Sequence, residues 1–104
     1  MPSSPPSDSR LVEIVRNPKS PHADQQAALR ELDDRTRRIL LGSCWRKVYN
    51  PQVILSELGC LDVTDLIAEV IAKAILTFDG SRKVKFSTFA CTIFRNRVLD
   101  AIRA

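Results

Sequence analysis

The apolar residues between Leu66 and Ile75 constrain the fold more than any other feature of the chain. They recur at spacings of three and four residues, which places them along one side of an α-helix. The six positions are Leu66, Ile67, Val70, Ile71, Ala74 and Ile75. A helix of this kind must pack against a core, and we expect it to start near Asp62 or Thr64. No segment shows the two-residue alternation of a β-strand, so the sequence predicts an all-α fold.

Two further helices are predicted before this one. Ser20-Pro21 is a favourable start, because serine can accept a bond from a free backbone N–H and proline has none to lose at the first helical position. This helix could extend through Tyr49, since the break comes only at Asn50-Pro51. A short helix is expected from Pro51 to Leu58, with Gly59 as its terminator. Its predicted inward residues are Val53, Ile54 and Leu58.

The last predicted helix starts at Ser87, with Phe86 ahead of it in the position of a hydrophobic staple. One side of this helix is apolar and is expected to pack inward. The inward residues are Ala90, Ile93, Phe94, Ala101 and Ile102, with Phe89 as a borderline member. The opposite arc carries Thr88, Thr92, Arg95, Asn96, Leu99 and Arg103.

The N-terminal composition differs from the rest of the chain. Five of the six prolines lie between Pro2 and Pro21, among several serines. Such a segment buries too little apolar surface to offset the entropy of ordering, so residues 1–20 are predicted to be a flexible arm. A short helix at Leu11–Val15 is an open alternative within it. Residues 21–104 are predicted to form one small helical domain.

The sequence lacks the residues that several functional classes of protein require. The three cysteines are widely spaced and the single histidine is His22, so no metal site is predicted and the thiols are expected to be buried or half-buried. No phosphate-binding loop, nucleophile–base pair or cofactor motif is present, so no enzyme activity and no cofactor are expected. No secretory or membrane-spanning segment is evident, and we expect a cytoplasmic protein.

Basic charge is concentrated near the C-terminus. Residues 81–104 contain six cations against Asp100 alone, a net charge of +5, while the first eighty residues sum to −1. Charge gathered at one end favours a polyanionic partner such as nucleic acid, although a solvated helix face would have the same composition.

Three motifs follow one another along the chain: DLIAE at residues 65–69, FDG at residues 78–80 and KFSTFA at residues 85–90. In this order they resemble region 2 of bacterial RNA polymerase sigma factors. The final FRNRVLDAIR also resembles the extracytoplasmic-function-like group of these factors. The resemblance implies a small helical bundle of the sigma region 2 type, which acts as a transcription initiation factor without being an enzyme.

The resemblance also implies two binding surfaces. The first would dock on the clamp helices of the largest subunit of core RNA polymerase, through Asp65, Leu66, Glu69 and Lys73. The second would contact the non-template strand of the promoter −10 element, through Arg82, Lys83, Lys85, Thr88, Thr92, Arg95, Asn96 and Arg103. An anti-sigma factor is a further expected partner, and no membrane partner is expected.

Two departures from the family pattern leave alternatives open. Thr92 and Ile93 occupy the positions where primary sigma factors have a tryptophan pair. Phe86 and Phe89 could replace that pair or could pack in the core, and we favour packing in the core. No helix-turn-helix segment follows, so we expect either part of a longer sigma factor or a stand-alone regulator. The alternatives are therefore a sigma-like interaction module that does not melt DNA, and a helical DNA-binding domain unrelated to polymerase.

Overall fold

A computed structural model of the chain describes residues 6–80 and 84–103. Five α-helices follow one another, with a distorted turn after the second. They are α1 (Asp8–Arg16), α2 (His22–Ile39), a π-helical turn (Leu40–Cys44), a 3-10 turn (Trp45–Lys47), α3 (Pro51–Leu58), α4 (Val63–Thr77) and α5 (Phe86–Arg103). Within these described ranges there is no β-strand. The prediction of an all-α helical bundle is confirmed.

Helix α4 lies at the centre of the bundle and packs against each of the other four helices. All six residues of its predicted apolar side are buried, which confirms that prediction. Asp62 caps the helix, within the predicted start region. Phe86 and Phe94 of α5 and Leu32 of α2 are almost fully buried in the same core.

Helix α1 corrects the predicted limit of the N-terminal arm. The hydroxyl of Ser7 accepts a bond from the N–H of Arg10 at 3.2 Å, which starts the helix inside the segment predicted as an arm. Leu11 and Val12 join the main core, because α1 presents them to α2 and α4. Residues 8–16 therefore belong to the packed fold, while residues 1–5 of the predicted arm lie outside the described residues.

The segment after α2 is less regular than predicted. The helix begins at His22, one residue later than expected, with Pro21 at its N-cap. It does not run as one α-helix to Tyr49, since the backbone changes to the π-helical turn at Leu40 and to the 3-10 turn at Trp45. This change lets the Trp45 ring pack edge-on against Phe94, with ring centroids 6.2 Å apart.

Helix α3 has the predicted bounds, and Gly59 ends it with a φ of +72°. The predicted burial of Val53 is wrong, because it is 58% exposed while Ile54 and Leu55 are buried. Each residue turns a helix by about 100°, so Val53 lies on the far side of Ile54 from Leu55.

Helix α5 begins at Phe86, one residue before the predicted start. Ala90, Phe94 and Ala101 are buried as predicted. The predicted burial of Ile102 is wrong, since it is 64% exposed. It lies roughly 100° around the helix from Ala101, away from the side that faces the core.

Candidate functional site

The exposed side of α4 carries the residues predicted to bind polymerase. Asp65, Glu69 and Lys73 are exposed and follow one another at intervals of four residues, so they form one edge of the helix. Ala68, Ala72 and Leu76 are exposed beside them, and we call these six residues the α4 outer face. Leu66 is fully buried, at 0% exposure, so it can support this face but cannot touch a partner.

Asp65 takes part in the hydrogen bonds that cap the start of α4. The carboxylate of Asp62 accepts a bond from the backbone N–H of Asp65 at 3.2 Å, and the carboxylate of Asp65 accepts one from the N–H of Leu61 at 3.1 Å. This reciprocal pair resembles a capping box. It holds the Asp65 carboxylate in a fixed position at the end of the α4 outer face.

Glu69 joins α4 to α5. Its Oε1 accepts a hydrogen bond from Nη2 of Arg97 at 3.0 Å, and the two side chains are 49% and 29% exposed. A partly solvated pair of this kind contributes about 0.5 kcal/mol to stability. Sequence reasoning missed Arg97, because its partner lies 28 residues away and no local spacing reveals the contact.

The exposed side of α5 carries most of the residues predicted to bind DNA. Thr88, Thr92, Arg95, Asn96, Leu99 and Arg103 are all exposed, and we call them the α5 polar stripe. They occupy an arc of roughly 100° at 3.6 residues per turn. Thr92 donates its hydroxyl proton to the carbonyl of Thr88 at 3.1 Å, which leaves its oxygen as an acceptor.

The charge of the α5 polar stripe is of one sign. Arg95 and Arg103 lie on it and the exposed Lys85 precedes the helix, whereas Asp100 lies toward α4 in the groove beside Glu69. Arg82 and Lys83, also predicted to bind DNA, lie outside the described residues. Lys85, Arg95 and Arg103 are thus all exposed to solvent, as phosphate contact requires.

The phenylalanines near the start of α5 pack inward. Phe86 is 1% exposed and meets Phe78 edge-on at 5.3 Å between ring centroids. Phe89 is half-buried, with its ring 5.7 Å from that of Phe78. Phe86 therefore serves the core, as the sequence favoured, and cannot contact a base. Thr92 is exposed and Ile93 half-buried at the positions of the family's tryptophan pair.

The three cysteines are half-buried free thiols, as predicted. Burial, together with a hydrogen bond between the thiols of Cys91 and Cys44, raises the pKa of Cys91 to about 11. Burial also raises the pKa of Cys60, with the nearby carboxylates of Glu69 and Asp65 adding to the effect. Protonated thiols are weak nucleophiles, so Cys60 and Cys91 have little reactivity at neutral pH.

Comparison with known families identifies the family of the chain. The family model of sigma-70 region 2 matches residues 45–104, which is more than half of the chain and includes α3, α4 and α5. The chain belongs to the sigma-70 region 2 family. No curated protein and no solved structure gives a significant match.

Membership gives the domain its general role. A sigma region 2 domain is part of a transcription initiation factor that binds RNA polymerase and DNA, and such factors are not enzymes. The predicted likeness to the extracytoplasmic-function-like group stays a prediction. Within the described residues, no three His, Cys, Asp or Glu side chains gather as a metal site would require, and no helix is long and apolar enough to cross a membrane.

Proposed function

We propose that the α4 outer face docks on the clamp helices of the polymerase's largest subunit and that the α5 polar stripe contacts the non-template strand of the promoter −10 element. The proposal rests on the exposure of two groups of predicted residues within the range that matches the family: Asp65, Glu69 and Lys73 on one side of α4, and Thr88, Thr92, Arg95, Asn96 and Arg103 on one side of α5. The two helices pack together, so one rigid body would hold polymerase and DNA at once.

The α4 outer face suits a helical partner that carries cations. Its carboxylates are placed by bonds within the fold, Asp65 by the helix cap and Glu69 by Arg97, so little entropy is lost when a partner binds them. Ala68 and Ala72 are small and allow the partner's backbone to approach closely. Leu76 is 75% exposed and supplies an apolar contact at the other end of the face.

The α5 polar stripe suits a DNA strand. Arg95, Arg103 and Lys85 can neutralise phosphates, and Asn96 presents an amide able to bond a base edge. The threonines between them add hydroxyl groups within reach of sugar or phosphate.

The polymerase contact is tested by removing charge without removing the internal hydrogen bonds. Glu69→Gln and Asp65→Asn keep an acceptor for Arg97 and Leu61, so the fold should remain intact. We expect each to weaken binding to core polymerase by about tenfold, because a hydrogen bond to a charged group contributes about 1.5 kcal/mol. Glu57→Gln, on the exposed side of α3, is the matched control. Wild-type affinity in both α4 variants would remove this half of the proposal.

The DNA contact is tested by salt titration. Three described cations predict a log–log slope of about −2 for binding to a single strand, at about 0.7 per phosphate contact. Arg95→Ala should make the slope shallower by about 0.7, whereas Arg38→Ala, on the exposed side of α2, should leave it unchanged. A slope that does not respond to Arg95 would contradict the contact.

A second function is favoured by the burial of Phe86. With this ring in the core and Thr92 and Ile93 at the tryptophan positions, α5 exposes no aromatic wedge. The domain would then hold polymerase, or an anti-sigma factor, without melting DNA. In that case core binding would survive while Arg95→Ala and Arg103→Ala changed neither promoter binding nor promoter opening, measured by permanganate reactivity of unpaired thymines.

A further inference from the structure

A groove of about 470 Å³ lies between α5 and the turns that follow α2. Its floor is apolar and includes Val48, Phe94 and Val98. Lys47 and Arg95 are the charged residues that line it, and no carboxylate does. A cavity with an apolar floor and only positive charge is suited to an anionic ligand that has a flat or apolar part.

Tyr49 stands at the rim of this groove with 85% of its surface exposed. Its neighbours are fixed: the N–H of Val48 donates to the carbonyl of Trp45 at 3.1 Å, and the carbonyl of Asn50 accepts from the N–H of Val53 at 3.1 Å. Trp45 in turn packs edge-on against Phe94 of α5. Hydrogen bonds therefore hold the backbone on both sides of Tyr49, while its phenol ring is exposed to solvent.

We propose that Tyr49, with Lys47 and Arg95, forms a stacking site for one base of a single DNA strand. The inference rests on the proposed function, because Arg95 and Leu99 belong both to the groove and to the α5 polar stripe. A strand that follows the stripe would thus reach Tyr49 without leaving the protein surface. An exposed ring with adjacent cations is the usual arrangement for stacking a base while holding its phosphate.

The size of the groove favours a nucleotide over a protein segment. Only Tyr49, Leu99 and Ile102 are exposed apolar residues along it. Three side chains cover far less than the roughly 800 Å² that each partner contributes to a stable protein interface. A single base needs far less apolar surface, and one exposed ring is enough to stack it. The site would also supply an aromatic contact that α5 lacks at Thr92 and Ile93.

Fluorescence anisotropy of the full chain with two labelled 12-nucleotide strands tests this site. One strand is oligodeoxythymidine and the other is abasic throughout. Tyr49→Ala should weaken binding to the thymidine strand by about 5- to 150-fold, the usual effect of removing one stacking ring. Tyr49→Phe should bind like the wild type, and the abasic strand should not distinguish the variants. Val53→Ala, an exposed apolar residue of α3, is the matched control and should also bind like the wild type.

The outcomes separate this inference from the proposed function. No binding of either strand by the wild type would overturn both the stacking site and the DNA-contacting half of the proposed function. Binding that Arg95→Ala weakens and Tyr49→Ala does not would overturn the stacking site alone. An equal loss on the abasic strand after Tyr49→Ala would also overturn it, because the ring would then act without a base. A wild-type dimer that Tyr49→Ala converts to a monomer, seen by sedimentation, would assign the ring to a second copy instead.

Discussion

Replacing Leu11 by alanine tests whether α1 is part of the folded domain. Leu11 is 4% exposed and lies in the main core with Val12, although the composition around it predicts an arm. Leucine-to-alanine changes in cores cost about 2–5 kcal/mol, and we expect about 2–3 kcal/mol here, because a short terminal helix can shift to fill part of the space. For a domain of this size the melting temperature should fall by roughly 10–20 °C.

Urea unfolding followed by Trp45 fluorescence is the suitable assay for this variant. Trp45 packs on Phe94 of α5, so its signal reports unfolding of the bundle. Ser9→Ala is the matched control, since Ser9 is exposed on the same helix, and its stability should stay within about 0.5 kcal/mol of the wild type. An unchanged midpoint for Leu11→Ala would refute the packing of α1 as described.

Three further predictions concern the fold around the two surfaces. Gly59→Ala should cost about 1 kcal/mol in urea unfolding, because Gly59 has a φ of +72° while open space surrounds it; Ser56→Ala, on exposed α3, should cost much less. A double-mutant cycle of Glu69→Ala and Arg97→Ala should give a coupling energy of about 0.5 kcal/mol that falls in high salt, and a value near zero in low salt would mean that the pair does not join α4 to α5. Burial raises the pKa of the Cys91 thiol from 9.0 to about 11, so the unfolded chain loses this proton at lower pH than the folded chain, and the free energy of unfolding should fall as the pH rises from 9 to 11. The urea midpoint of Cys91→Ser should fall less over the same pH range. An identical fall in the variant and the wild type would contradict the pKa shift.

The sequence predicts the parts of the fold in which a local pattern determines burial. Helix α4 is the clearest case, because six apolar residues at helical spacing can be buried together only on one side of a helix. All six are buried. The exposed side of α5 follows from the same periodicity. Gly59 likewise marks the end of α3, since its left-handed backbone is a local property of glycine.

The rest depends on contacts that no local pattern contains. Leu11 and Val12 are buried because α2 and α4 lie beside them, while the prolines and serines nearby indicate an arm. Arg97 meets Glu69 only through the packing of α5 on α4. Val53 and Ile102 are apolar residues at the margins of their buried arcs, where a small helix rotation decides between core and solvent.

Site-specific photocrosslinking tests the central proposal most directly. A benzophenone amino acid placed at position 96, on the α5 polar stripe, would be irradiated in a complex of the chain with core polymerase and promoter DNA. Position 57, on the exposed side of α3, is the control. We expect crosslinks from position 96 to the non-template strand at the −10 element, which depend on core polymerase and are lost in the Glu69→Gln and Asp65→Asn double variant. Crosslinks that are absent, or equally strong from position 57, would contradict it.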